Sequence, residues 1–233
     1  MVTSPPYNVG YDYADGGASD QLPLSKYLGM LRAFLGLAYH VLGSGGVLAL
    51  NLPPSIRTPD HRAFALSAWA QVEMQAQGYL LSEPVAWVKT HGAEPVATTT
   101  AFGAPTNPYL RPTYEQVLIG HRETFTVPGK TAAWFDGFLE VVKDTWVLPP
   151  GKRKKGQALA FPAELVRNVV NLYSCPGDVV LDPFAGTGTT AAVARQMGRV
   201  AWLIERQPAY WDTLEAVVQQ AALPEGMLMG VSS

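Results

Sequence analysis

The chain has 233 residues, 48% hydrophobic and 15% charged, with a formal net charge of −2. That length suits one substantial domain with a single large core, and that charge excludes a grip on nucleic acid through a global excess of positive charge. One cysteine excludes an intramolecular disulfide, four scattered histidines offer no metal cluster, and no apolar run reaches the ~18 residues of a membrane span.

At the start of the chain, Ser4-Pro5-Pro6-Tyr7 combines a hydroxyl, a rigid turn whose carbonyls are left to accept hydrogen bonds, and an aromatic face. These are the parts needed to hold a flat amine. Residues 9–24, rich in Gly, Asp and Tyr, read as a loop. Helical spacing of Leu28, Leu31, Leu35, Ala38 and Leu42 predicts a helix over 25–42, stopped by Gly43-Ser44-Gly45-Gly46 before a buried-type strand at 47–52. A second helix is expected over 61–77, broken by Gly78, then strands at 84–90 and 115–120. Two stretches read as irregular inserts: 91–112, interrupted by Gly92, Pro95, Gly103, Pro105, Pro108 and Pro112, and 121–156, with Trp134, Phe135 and Trp146 as core anchors. A helix at 162–173 precedes the clearest βαβ pattern: strand 178–181, a Gly-rich turn, helix 189–197, strand 199–204 and helix 208–220. This alternation predicts an α/β fold with helices on both faces of a doubly wound sheet. It forms one domain over 1–233, with a catalytic half at 1–120, a recognition or linker segment at 121–160 and a cofactor-binding half at 161–233.

The second motif is Asp182-Pro183-Phe184-Ala185-Gly186-Thr187-Gly188-Thr189-Thr190. Gly186 and Gly188, between strand and helix, let backbone approach a ligand and aim a helix N-terminus at it. Glu205, at the tip of the next strand, is placed to accept hydrogen bonds from two ribose hydroxyls. The spacing also fits a dinucleotide fingerprint, so a NAD enzyme is the structural rival; a phosphate-binding loop is excluded because no Lys follows Gly188. An acid and a bulky ring ahead of the glycines suit an ammonium and an adenine better than a pyrophosphate, which points to S-adenosylmethionine. The plainer reading is that Asp182 and Glu205 only cap helices.

With both motifs read, the chain resembles the beta-class amino-group DNA methyltransferases, in which the catalytic motif precedes the cofactor motif. Residues 3–8 look like motif IV, Phe161-Pro162 like the segment before motif I, 182–190 like motif I, and Glu205 like the motif II acid. The similarity extends through Trp87-Val88-Lys89 and residues 111–119. The resemblance implies a Rossmann-like methyltransferase fold with circularly permuted motif order. It implies that Ser4 Oγ and the Pro5 carbonyl accept the two N–H bonds of an exocyclic amine, with Tyr7 stacked on a base flipped out of double-stranded DNA. Serine at the first position favours N4 of cytosine, with N6 of adenine as the alternative. Cys175 precedes Pro176 rather than following it, so it is read as structural and not as a nucleophile for C5 methylation. A cytoplasmic restriction–modification setting in a bacterium, archaeon or phage follows.

DNA contacts are assigned to Lys152, Arg153, Lys154 and Lys155, together with Arg111; the plainer reading of the run is a solvated loop. Three departures from the family shape further expectations. Only three residues lead into Ser4, so a supporting strand is expected from a partner subunit, from a longer chain or from residues 226–231. Gln157 stands where the family often has His. The short interval from Ile119 to Phe161 predicts a short recognition sequence, low specificity, or recognition shared across a homodimer. Competing functions are a catalytically weak binding subunit and a methylase of RNA or of a protein glutamine amide.

Overall fold

In the computed structural model, residues 1–10, 20–60, 62–90, 112–127, 135–151 and 161–220 are described. In chain order the elements are β1 (Val2–Thr3), α1 (Leu24–Val41), β2 (Val47–Leu52), β3 (Ile56–Arg57), β4 (Ala63–Phe64), α2 (Leu66–Ala76), β5 (Leu80–Leu81), β6 (Val85–Lys89), β7 (Tyr114–His121), α3 (Phe138–Val141), β8 (Thr145–Leu148), α4 (Ala163–Tyr173), β9 (Val179–Asp182), α5 (Thr189–Gln196), β10 (Val200–Leu203) and α6 (Trp211–Gln220).

The period of two in β2 organises the layers. Leu48, Leu50 and Leu52 face one side, where they meet Tyr27, Leu31 and Leu35 of α1 and Leu66, Ala70 and Met74 of α2. Val47 and Ala49 face the other, in the core that holds Leu165, Val166 and Val169 of α4 and Val193 and Ala194 of α5. All six residues of β2 are buried, as a strand covered on both faces requires. The main sheet runs β1-β2-β7-β6-β8, with β5 paired to β7. Strands β1 and β2 are parallel, β7 is antiparallel to both β2 and β6, and β8 is parallel to β6. Strands β9 and β10 form a separate parallel pair, and β9 lies against β1. The expected α/β architecture is therefore present, with an antiparallel strand inside it.

Two local expectations are corrected. The helix foreseen from residue 61 begins at Leu66, because Ala63 and Phe64 pair antiparallel with Arg57 and Ile56. The segment 121–156 is not irregular throughout: it contributes α3 and β8. Trp146 in β8 is 3% exposed, and its indole N–H donates to the Val141 carbonyl at 2.9 Å; Trp87 Nε1 donates to the Leu148 carbonyl at 3.1 Å. Two indoles thus fasten a short edge strand whose period was too brief to read. Phe135 packs edge-on against Phe138, and Trp134 lies outside the described residues. The strand leading into Ser4 is present but short, with Val2 and Thr3 paired to Ala49 and Leu50. Residues 226–231 lie outside the described set.

Packing is tight where β7 crosses under α2. A Cβ on Gly120 would run into the terminal methyl of buried Met74 and lie 2.8 Å from Cδ1 of Tyr79, whose hydroxyl is itself tied to the Leu35 carbonyl. Gly120→Ala is therefore expected to destabilise the fold by about 1–3 kcal/mol through overpacking. Urea denaturation should report a lower midpoint, and an unchanged midpoint would show that the α2 face yields more easily than its contacts imply.

Candidate active site

Strand β9 ends at Asp182, and the chain then turns sharply through 183–188 into α5. Gly186 and Gly188 take φ of +52° and +86°, which side chains with a Cβ adopt only under strain. Their surroundings differ. A Cβ on Gly188 would lie 2.8 Å from Leu214 Cδ1, whereas one on Gly186 meets nothing within 4 Å. Gly188 is needed for packing on α6, and Gly186 faces open space.

Glu205 follows β10 and holds this turn. Its Oε2 accepts the Gly186 N–H at 2.7 Å, and its Oε1 accepts the Gln207 N–H at 2.7 Å. A carboxylate has about four acceptor positions, so each oxygen retains one for a further donor.

Asp182 is 2% exposed and accepts three hydrogen bonds from the protein. Its Oδ1 accepts Thr3 Oγ1 at 2.6 Å and the Phe184 N–H at 3.1 Å, and its Oδ2 accepts Thr190 Oγ1 at 2.6 Å. Burial raises its pKa above the ordinary carboxylate value, while these donors pull the other way. Thr3 belongs to β1 and Thr190 to α5, so one carboxylate fastens the lead-in of the first motif to the second. The sequence reading that set Asp182 aside for an ammonium missed this internal demand on it.

In the first motif, Ser4 Oγ and the Tyr7 hydroxyl are 2.7 Å apart. Tyr7 donates to Glu115 Oε2 at 2.8 Å, and Asn51 Nδ2 donates to both the Tyr7 oxygen, at 2.8 Å, and Glu115 Oε2, at 2.5 Å. Lys89 Nζ closes an ion pair with Glu115 Oε1 at 2.5 Å. The Tyr27 hydroxyl donates to the Pro6 carbonyl at 2.8 Å, so the expectation that both proline carbonyls stay free is corrected for Pro6. Asn8 takes a left-handed φ of 60°, which Asn tolerates, and its amide brackets Leu22 through bonds of 2.9 and 2.6 Å.

A cavity of about 600 Å³ joins the two motifs, within the range of small-molecule sites. Ser4, Pro5, Pro6 and Tyr7 all line it, as do Phe161, Asp182, Pro183, Phe184, Ala185, Gly186, Thr187, Thr189, Thr190 and Glu205. Two sequence candidates do not. Pro162 is buried at the start of α4, and Gly188 packs on α6. Arg111 and the run Lys152, Arg153, Lys154 and Lys155 lie outside the described residues. The residues that sequence reasoning left without a role are Thr3, Tyr27, Asn51, Lys89 and Glu115. For Lys89 and Glu115 the available signal was a lone charge near one end of a strand. Among the described residues, no group of three or more His, Cys, Asp or Glu could hold a metal ion, and no helix is long and apolar enough to cross a membrane.

This geometry defines a class: an α/β domain in which a glycine turn with a following acid shares one cavity with a Ser-Pro-Pro-Tyr turn. The family model for DNA methylases of the N6/N4 type matches residues 1–216, and the chain belongs to that family. It is 28% identical over 177 residues to the type II methyltransferase M.MjaI of Methanocaldococcus jannaschii, covering 69% of this chain and 57% of that protein. The chain thus spans little more than half of that curated relative. A DNA modification methylase of Thermus thermophilus, TTHA0409, solved with S-adenosyl-L-methionine, shares the fold at a TM-score of 0.70 and 23% identity, covering 94% of this chain and 86% of that one. The cytosine-N4-specific PvuII DNA methyltransferase does so at 0.68 and 16%, covering 97% and 80%.

The state of Asp182 sets a pH dependence. Because burial favours its neutral form, the native chain holds this proton more tightly than the unfolded chain does. Below the ordinary carboxylate pKa of about 4 both states are protonated and no penalty exists; above it the unfolded chain ionises first and native stability falls. Asp182→Asn lacks that titration. Its unfolding free energy relative to wild type should therefore increase from about pH 4.5 to about pH 7.5 in urea titrations; a decrease would contradict the assignment.

Proposed function

We propose that this chain is an S-adenosylmethionine-dependent DNA methyltransferase acting on an exocyclic amine of a flipped base, N4 of cytosine by preference. The observation that carries the reading is that Ser4-Pro5 and the Gly186–Glu205 turn line one cavity. An amine held at the first would lie beside a nucleoside cofactor held at the second.

The residues present fit that cofactor. Gly186 leaves room where a Cβ would stand, and Glu205 keeps two acceptor positions for a ribose diol after satisfying two backbone N–H groups. Phe184, edge-on to Phe34 at 5.2 Å, and Phe161 supply aromatic walls for a purine. When bound, S-adenosylmethionine supplies an electrophilic methyl on a sulfonium.

The chain's own part is to prepare the amine. The nitrogen lone pair of a cytosine or adenine amine is delocalised into the ring, which makes it a poor nucleophile. Ser4 Oγ and the Pro5 carbonyl, accepting its two N–H bonds, bias the nitrogen toward tetrahedral geometry and aim the lone pair across the cavity for in-line attack. Tyr7 offers a ring for stacking, which offsets part of the few kcal/mol that base flipping costs. Arg111 and Lys152, Arg153, Lys154 and Lys155 are assigned to the phosphate backbone, and a homodimer in the cytoplasm completes the reading.

Mass spectrometry of nucleosides from DNA treated with the protein and S-adenosylmethionine tests the proposal. N4-methylcytosine is expected, reduced about 100-fold in Ser4→Ala with cofactor affinity retained. N6-methyladenine would transfer the same mechanism to the other base, and undiminished product from the variant would remove Ser4 from it.

A further inference from the structure

The Tyr7 hydroxyl does not merely sit beside Ser4; its hydrogen bonds fix which way the Ser4 proton points. Glu115, ion-paired with the Lys89 ammonium, presents a carboxylate, which can only accept. Tyr7 spends its single proton on Glu115 Oε2. The Tyr7 oxygen also accepts from Asn51 Nδ2, whose other hydrogen goes to Glu115 and pins the amide against flipping. With its proton committed, Tyr7 can meet Ser4 Oγ at 2.7 Å only as the acceptor. Ser4 must therefore donate its one proton to Tyr7, and both Ser4 lone pairs are left for the cavity that Ser4 lines.

The opposite polarity would disable the site. Were Tyr7 to donate to Ser4, one Ser4 lone pair would be occupied and the Ser4 proton would be free to swing toward the amine nitrogen. There it would bond to the very lone pair that must attack. We infer that Glu115, seated by Lys89 and Asn51, is a positioning residue for methyl transfer: through Tyr7 it holds the Ser4 hydroxyl in the accepting orientation toward the target amine. The inference rests on the reading of Ser4 as an acceptor for that amine. It adds a polarity requirement which the Ser-Pro-Pro-Tyr motif does not state by itself, and which depends on three strands, β2, β6 and β7.

Glu115→Gln keeps the size of the side chain but lets an amide N–H donate to the Tyr7 oxygen, which frees the Tyr7 proton for Ser4. Single-turnover methylation of DNA by the whole protein is expected to slow about 10- to 100-fold, with unchanged affinity for S-adenosylmethionine by calorimetry. Tyr7→Phe, which keeps the ring and removes the bridging oxygen, should show a similar loss. Because Glu115 acts through Tyr7, adding Glu115→Gln to Tyr7→Phe should slow the reaction no further; losses that multiply would overturn the inference, as would a wild-type rate in Glu115→Gln. If Glu115→Gln fails to fold, the Tyr7→Phe rate decides, and full activity there overturns it.

A second readout needs no turnover. In protein labelled with 13C at tyrosine Cζ, the resonance that Tyr7→Phe removes should lie downfield, as a phenol donating to a carboxylate does, and move upfield in Glu115→Gln. If the wild type methylates no DNA, the functional reading falls on that result alone, while this resonance still decides the polarity: no shift in Glu115→Gln would refute it.

Discussion

A buried carboxylate at the end of β9 is the constraint on which the site depends. Asp182 has almost no access to water, so its oxygens need donors from the protein, and two of the three it finds come from opposite motifs. A hydrogen bond contributes about 0.5–1.5 kcal/mol, and leaving a buried polar group without its partners costs at least as much. The chain therefore folds with Thr3 and Thr190 against the same carboxylate, or it buries that group at a loss. Since Ser4 follows Thr3 directly, docking β1 to β9 also sets where the Ser-Pro-Pro-Tyr turn stands relative to the glycine turn.

From that junction the site divides by element. The glycine-turn side is made locally: strand, left-handed glycines, helix start and the Glu205 carboxylate all lie within residues 179–207. The Ser4–Tyr7 side is made at long range. Tyr7 is fixed by Asn51 in β2 and Glu115 in β7, and Glu115 in turn by Lys89 in β6. The antiparallel pairing of β7 with both β2 and β6 brings those three strand-borne groups to one end of the sheet. Short side-chain reach then makes the geometry of Ser4 a property of the whole sheet rather than of its own turn.

That division explains what could be read from sequence. The motifs at 4–7 and 182–190 were legible because their chemistry lies in consecutive residues, and the long elements α1, β2, α4 and the final βαβ unit were legible because their periods run for several residues. Strand β8 was not, since four residues carry little period and its hold on the sheet comes from the indoles of Trp87 and Trp146. Thr3 and Asp182 stand 179 residues apart, and Tyr7 and Glu115 stand 108 apart, distances over which no spacing rule links a donor to an acceptor. Asp182 shows what a motif read alone leaves out: its type pointed to an external cation, and the fold adds hydrogen bonds from Thr3, Phe184 and Thr190 to its oxygens.

The central claim is that this junction brings the amine-holding turn and the cofactor turn to face one another across a single cavity. A crystal structure with S-adenosylhomocysteine bound measures it directly. The account predicts the ribose on Glu205 and the sulfur turned toward Ser4 and Pro5 across a gap that admits one amine nitrogen, about 3–3.5 Å from the methyl carbon that the sulfonium would carry. A ligand seated elsewhere, or a sulfur turned away from Ser4 with the Thr3–Asp182–Thr190 bonds intact, would contradict it.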